Sequence, residues 1–152
     1  MRAIFIADAH LQCLNDPNQK RLCAFLENLK DIDKIFILGD LFEFWTGYNK
    51  TLEYNYSPVL TQFKRLKESS TDIIYIEGNH DFSVGPFFKD ILGGAVYPDS
   101  ADITLDGKRF FLAHGDIVEH SVSYKIWRRL LRSSITSVII KMIPHAFVWR
   151  AA

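Results

Sequence analysis

Four short apolar runs in this chain each end on side chains able to bind a metal ion or move a proton. That repetition limits the folds open to the chain. Ile73-Ile74-Tyr75-Ile76 passes through Glu77 and Gly78 into Asn79-His80-Asp81. Ile4-Phe5-Ile6-Ala7 runs into Asp8-Ala9-His10, and Lys34-Ile35-Phe36-Ile37-Leu38 into Gly39-Asp40. Arg109-Phe110-Phe111-Leu112-Ala113 runs into His114-Gly115-Asp116. Short runs of this kind, bounded by turn residues, read as buried strands. One Gly-Asn-His-Asp alone would read as a turn, since Asn, Gly and Asp favour turns for local reasons. Four such endings point to one edge of a sheet, because open α/β sheets bind ligands beyond the carboxyl ends of their strands.

The segments between the runs supply the crossovers. Arg2 to Ala7 is expected as the first strand. Asp16-Pro17 reads as a helix start, with Asp16 as cap and Pro17 at the first helical position. Leu22, Phe25, Leu26 and Leu29 then mark one buried helical face. Strand, helix, strand implies a right-handed parallel crossover into Lys34 to Leu38. Leu41 to Tyr56 reads as an aromatic loop, and Ser57-Pro58 as the start of a second helix burying Val59, Phe63 and Leu66. Asp72 to Ile76 is the third strand, and Gly85 to Leu92 a short helix closed by Gly93-Gly94. Asp106-Gly107, between two apolar runs, is a strong hairpin signal. Beyond His120 the pattern turns helical, with Tyr124, Trp127, Leu130 and Leu131 on one face.

Charge divides the chain where hydropathy does. Its 152 residues suit a single domain, and 48% apolar residues suffice for a core. Net charge is zero, yet the last acidic residue is Glu119. Residues 120–152 carry six cations (Lys125, Arg128, Arg129, Arg132, Lys141, Arg150), which leaves 12 basic against 18 acidic side chains before them. A basic segment on an acidic body suits an anionic surface. Nucleic acid is disfavoured, because the cations are interleaved with aliphatic residues. Cys13 and Cys23 are too few for a disulfide framework and fit a reducing compartment. Asp8 and His10 interrupt the first apolar run too early for a signal peptide. Lys141 and Pro144 break the stretch from Ile135 to Trp149, so no transmembrane helix is expected.

The strand ends define the chemistry. Asp8 and His10 sit two apart and share a face in extended chain. With Asp40, Asn79 and His114 they form a mixed oxygen and nitrogen set without thiolate. Such a set favours Mn²⁺, Fe or Zn over Ca²⁺. A carboxylate able to bridge suggests two ions about 3.5–4 Å apart. Glu43 reads as a supporting loop residue, and His120 and His145 as surface residues.

In this order, Asp8-x-His10, Gly39-Asp40, Gly78-Asn79-His80-Asp81 and His114-Gly115-Asp116 resemble the calcineurin-like metallophosphoesterases. Three further stretches are similar to the UDP-2,3-diacylglucosamine pyrophosphohydrolases of lipid A synthesis: Gly39-Asp40-Leu41-Phe42-Glu43-Phe44-Trp45-Thr46-Gly47, Asp81-Phe82 with Gly85 and Phe88, and Tyr124 with Trp127-Arg128. The resemblance implies an α/β sandwich of two mixed sheets flanked by helices. It implies a first metal on Asp8, His10 and Asp40, a second on Asp40, Asn79 and His114, and Mn²⁺ as the ion. His80 would meet the phosphate as general acid or charge stabiliser, supported by Asp81. Asn79, His80, Tyr124 and Arg128 would contact substrate. The implied reaction cleaves UDP-2,3-diacylglucosamine to UMP and the acylated sugar 1-phosphate. The implied location is cytoplasmic, on the anionic inner face of the inner membrane. Some of Phe42, Phe44, Trp45, Phe82, Phe87 and Phe88 would face lipid.

The chain also departs from the pattern. Many of the lipid A hydrolases carry Arg where His80 stands. Ser121 and Ser123 replace acidic residues common in that stretch. The closing Gly-His-x-His block, which gives each metal one histidine, is absent. The expectation is therefore a sandwich truncated at its C-terminus: an incomplete core over residues 1–119 and part of a basic helical cap over 120–152. Two other functions stay open, a metallophosphodiesterase for nucleotides or soluble phosphoesters and a non-catalytic scaffold of the same fold.

Overall fold

A computed structural model of the chain describes residues 1–47 and 50–118. Contacts group Met1–His114 into one compact unit. Of the unit that follows, the described part is a 3₁₀ turn, Gly115–Val118. Tyr124, Arg128, His120, His145 and the rest of 120–152 lie outside the described residues.

The centre of the first unit is a parallel sheet in the order β1-β2-β4-β6. β1 is Ala3–Ile6, β2 Lys34–Leu38, β4 Asp72–Ile76 and β6 Ala95–Tyr97. Phe5 lies opposite Phe36, and Ile37 opposite Tyr75. Central parallel strands are covered on both faces and so read as unbroken apolar runs. β2 and β4 do: Ile35, Phe36, Ile37, Ile73, Tyr75 and Ile76 are at most 1% exposed.

Alternation along these strands feeds two layers. Phe36, Ile74 and Ile76 pack against Leu105 and Leu112 of an antiparallel hairpin. The hairpin joins β7, Ser100–Leu105, to β8, Lys108–Ala113. Asp106 (φ 47°) and Gly107 (φ 75°) form its turn, the left-handed pair a two-residue hairpin needs. This is the expected α/β architecture of two sheets with helices. Among the described residues the main sheet is wholly parallel, because helical connections return each strand in the same sense, and the hairpin stands for the second sheet.

The helices occupy the other layer. α1, Pro17–Glu27, starts as the sequence implies: Asp16 caps it by accepting from the Asn18 amide at 2.9 Å. Its buried face differs, since Phe25 is 46% exposed and Gln19 is fully buried. The Gln19 amide donates to the carbonyls of Cys13 (2.7 Å) and Asn55 (3.1 Å), fastening α1 to α2. α2 runs from Lys50 to Glu68, with Pro58 inside it rather than at its start. Proline leaves the carbonyl four residues back without its usual donor. Here that carbonyl, Tyr54 O, accepts from the Ser57 hydroxyl at 3.0 Å.

The expected loop between Leu41 and Tyr56 is structured. Its Trp45–Thr46 (β3) pairs in parallel with Asp81–Phe82 (β5). Phe42 and Trp45 stack at 4.6 Å and pack with Tyr56, Phe87 and Phe88. Phe42, Trp45, Phe82, Phe87 and Phe88 are at most 3% exposed. These aromatics are core, so a lipid-facing surface made of them is ruled out here. The short helix α3 covers Gly85–Phe88, and turns carry the chain on to Gly93 and Gly94. Among the described residues no helix is long and apolar enough to cross a membrane.

Candidate metal centre

Parallel pairing brings the carboxyl ends of β1, β2 and β4 to one edge. There the loops lace together through their backbones. The Asp8 amide donates to Gly39 O (3.2 Å), the His10 amide to Asp40 O (3.0 Å) and the Leu11 amide to Leu41 O (3.0 Å). Asp8 (φ 53°), His10 (φ 45°) and Asp40 (φ 51°) are all left-handed. Non-glycine residues seldom adopt this region, and such outliers cluster at functional sites.

Two glycines let the β2 and β4 ends touch. A Cβ on Gly39 would lie 2.6 Å from His114 Nδ1 and 2.8 Å from Gly78 Cα. A Cβ on Gly78 would lie 2.1 Å from Asp40 Oδ1. The Gly-Asp and Gly-Asn steps of the sequence therefore mark a place where only bare backbone fits.

Asp40 sits at the centre and is 3% exposed. Its Oδ1 accepts from the His80 amide at 3.0 Å. Its Oδ2 lies 3.3 Å from His114 Nε2 and 3.8 Å from His10 Nε2. Burial pushes its carboxyl up. The hydrogen bond to His114, the His80 amide and the imidazole charges more than offset that and leave it below its ordinary value. Two clusters with ligand atoms within 4.8 Å share this residue: Asp8, Asp40 and His114, and His10, Asp40 and His80. The resemblance paired the residues differently, with His10 beside Asp8 and His80 outside both sets.

The donor set fits a cation. His114 Nδ1 donates to the Leu38 carbonyl at 2.8 Å. Its other nitrogen, Nε2, then faces Asp40 Oδ2 at 3.3 Å and Asn79 Oδ1 at 3.1 Å. A neutral imidazole has one donor and one acceptor nitrogen. In the charged ring Nε2 also carries a proton and gives it to Asp40; in the neutral ring, with the donor spent on Leu38, three acceptor atoms converge and a positive ion takes that proton's place. Asp8, His10, Asp40, Asn79, His80 and His114 all stand at this edge.

Asp81 lies beneath it and is fully buried. Its Oδ1 accepts from the amides of Asp40 (2.9 Å) and Gly78 (3.0 Å). Its Oδ2 accepts from the amides of Leu41 (2.6 Å) and Phe42 (3.3 Å) and from the Tyr75 hydroxyl. Burial pushes this carboxyl up to about 6, against the hydrogen bonds from Tyr75 and the amides, while the Asp40 charge adds to the rise. Burial and Asp81 also push Tyr75 well up. Five donors fill a carboxylate's capacity, so Asp81 serves the Asp40 loop and reaches His80 through the chain.

The His80 ring meets Glu43 instead. Its Nδ1 donates to the Glu43 carbonyl at 2.9 Å. The Glu43 carboxylate lies 3.3 Å from His10 Nδ1 and 3.7 Å from His80 Nδ1. Sequence reasoning left Glu43 in a supporting role without a partner, and gave Tyr75 only a place in the strand.

The sequence profile of the calcineurin-like phosphoesterases matches residues 1–146. The chain belongs to that family. Among the calcineurin-like phosphoesterases it is similar to proteins named UDP-2,3-diacylglucosamine hydrolase. It is 31% identical to that of Psychromonas ingrahamii, over 95% of this chain and 60% of the relative. It is 34% identical to that of Pseudomonas putida, over 98% and 62%. It is 32% identical to that of Porphyromonas gingivalis, over 89% and 54%. The chain thus spans 54 to 62% of the length of these three relatives. A solved structure of a protein of unknown function from Aquifex aeolicus is similar in fold: TM-score 0.50 and 24% identity, over 85% of this chain and 70% of that one.

Proposed function

We infer that this calcineurin-like phosphoesterase chain carries the metal-holding part of a hydrolase that cleaves the pyrophosphate of UDP-2,3-diacylglucosamine. The products are UMP and the acylated sugar 1-phosphate, a step of lipid A synthesis. The observation that carries the reading is Asp40, a buried carboxylate common to two histidine-containing clusters. The names of the relatives supply the substrate.

Asp8, His10, Asp40, Asn79 and His114 hold divalent metal, Mn²⁺ by preference, with Fe or Zn also suited to this donor set. Bound metal supplies positive charge against the phosphates and lowers the pKa of water. His80, its Nδ1 held by the Glu43 carbonyl, offers Nε2 to a phosphoryl or leaving oxygen as acid or charge stabiliser. Asp81 keeps the Asp40 loop in place. Tyr124 and Arg128 contact the substrate, and the cations of 120–152 hold the protein on the anionic inner face of the inner membrane from the cytoplasm.

The test is release of UMP from UDP-2,3-diacylglucosamine with Mn²⁺, with and without chelator, beside a soluble phosphodiester. Chelator-sensitive UMP release supports the reading. Faster cleavage of the soluble diester would favour a general phosphodiesterase, to which the choice of His rather than Arg at position 80 also points. Absence of both activities, with metal bound, would favour a scaffold.

A further inference from the structure

We propose that Glu43 is a positioning residue that fixes the His10 and His80 rings as a pair, each presenting Nε2 to the metal and phosphate. The inference rests on the reading of this edge as a metal-dependent phosphoesterase site. Glu43 stands where two loops cross. Its amide donates to the Leu11 carbonyl at 2.9 Å, next to His10. Two residues on, the Trp45 amide donates to the His80 carbonyl at 3.0 Å. Position 43 is therefore tied by backbone to both histidine-bearing loops.

The side-chain contacts then differ for the two rings. His80 Nδ1 meets the Glu43 backbone carbonyl at 2.9 Å, while the carboxylate, at 3.7 Å, acts on it only as a charge. His10 Nδ1 lies nearer the carboxylate, 3.3 Å away as an ion-pair distance, and its Nε2 lies 3.8 Å from Asp40 Oδ2. The rings stand edge to face, centroids 5.0 Å apart. A carboxylate on the far nitrogen fixes a metal-binding histidine's tautomer and orientation. His10 is also 36% exposed on its side chain, so packing alone does not fix the ring.

This division of labour gives an asymmetric test. In the metal-free chain at pH 8, imidazole ¹⁵N shifts report which nitrogen carries the proton. Both rings are expected in the Nδ1–H form. Glu43→Ala should return His10 to a mixture dominated by Nε2–H and leave His80 unchanged on its backbone carbonyl. Mn²⁺ titration should show Kd raised about 10–100-fold by Glu43→Ala. Glu43→Gln, which still accepts a hydrogen bond but is a poor ligand, should recover most of both properties. An unchanged His10 tautomer in Glu43→Ala would overturn the proposal. So would a Glu43→Gln variant as weak for Mn²⁺ as Glu43→Ala, which would make Glu43 a ligand. If the unmutated chain binds no Mn²⁺, the reading of this edge as a metal site in this chain fails, while the tautomer measurement still decides the part played by Glu43.

Discussion

Replacing Gly78 with alanine should weaken metal binding while every ligand stays in place. The added Cβ would sit 2.1 Å from Asp40 Oδ1, 2.6 Å from Asp40 N and 3.0 Å from Asp40 Cγ. Contacts below 3.0 Å are essentially never seen for a real Cβ, so the gap must open by about 0.9 Å. The obstacle cannot swing aside. Asp40 N is backbone, held by Asp81, and Oδ1 is held by the His80 amide. Gly78 is not in the left-handed region, so the cost is steric alone. Metal sites tolerate deviations of about 0.2 Å, and misplacing a reacting group by about 1 Å costs roughly 10²-fold. Asp40 belongs to both clusters, so both should suffer. We expect Mn²⁺ affinity to fall about 10²-fold and stability by about 1–3 kcal/mol, the usual range for overpacking. Mn²⁺ titration followed by electron paramagnetic resonance, with thermal unfolding in chelator, measures the two effects. Gly85→Ala is the control, since its Cβ would meet nothing within 4 Å. Mn²⁺ affinity within about threefold of the parent would refute the argument that the close approach of β2 and β4 sets the site.

Four other outcomes are expected. Asp40→Ala should reduce Mn²⁺ binding more than any other single substitution at the site, and retained binding would remove the shared-carboxylate assignment. His80→Ala should leave metal content nearly intact and lower UMP release by about 10²–10⁴; loss of metal instead would make His80 a ligand, as its cluster with His10 and Asp40 allows. Asp81 holds its proton up to about pH 6 when folded and releases it near 3.8 when unfolded, so the folded state binds more protons between these values. Stability of the metal-free chain should fall as pH rises through that window, and Asp81→Asn should flatten the curve in chemical denaturation. Binding to anionic vesicles should weaken with salt and vanish on removal of 120–152, whereas salt-insensitive binding would reassign that segment.

The parts legible in the sequence were those with local causes. β2 and β4 match their apolar runs residue for residue because burial on both faces leaves no ambiguity of period. Asp16-Pro17 and Asp106-Gly107 act within a few residues of themselves, and both behave as read. The edge of candidate ligands was legible because parallel pairing carries strand ends to one place. What failed depended on distant partners. Ser57-Pro58 read as a helix start, since nothing local says that the Ser57 hydroxyl will serve Tyr54. Phe25 fitted a helical stripe whose buried turn is held by Gln19 through Asn55, 36 residues away. The aromatic stretch after Asp40 looked like loop because the strand that β3 pairs with, Asp81–Phe82, lies far along the chain. Glu43 stood in a family-like stretch and Tyr75 in a strand, but neither residue's partners could be read there, since they are set by how the loops cross.

The five hydrogen bonds to Asp81 bear on when the site takes shape. Gly78, Tyr75, Asp40, Leu41 and Phe42 are gathered by a side chain of the protein, without recourse to an ion. In small zinc domains the metal organises the chain, and its binding energy is folding energy. Here the loop that carries Asp40 is ordered beforehand. The entropy of fixing it is charged to folding of the sheet and leaves the ion's affinity undiminished. A chelated chain should therefore keep its β2–β4 edge, and metal can exchange without the core opening.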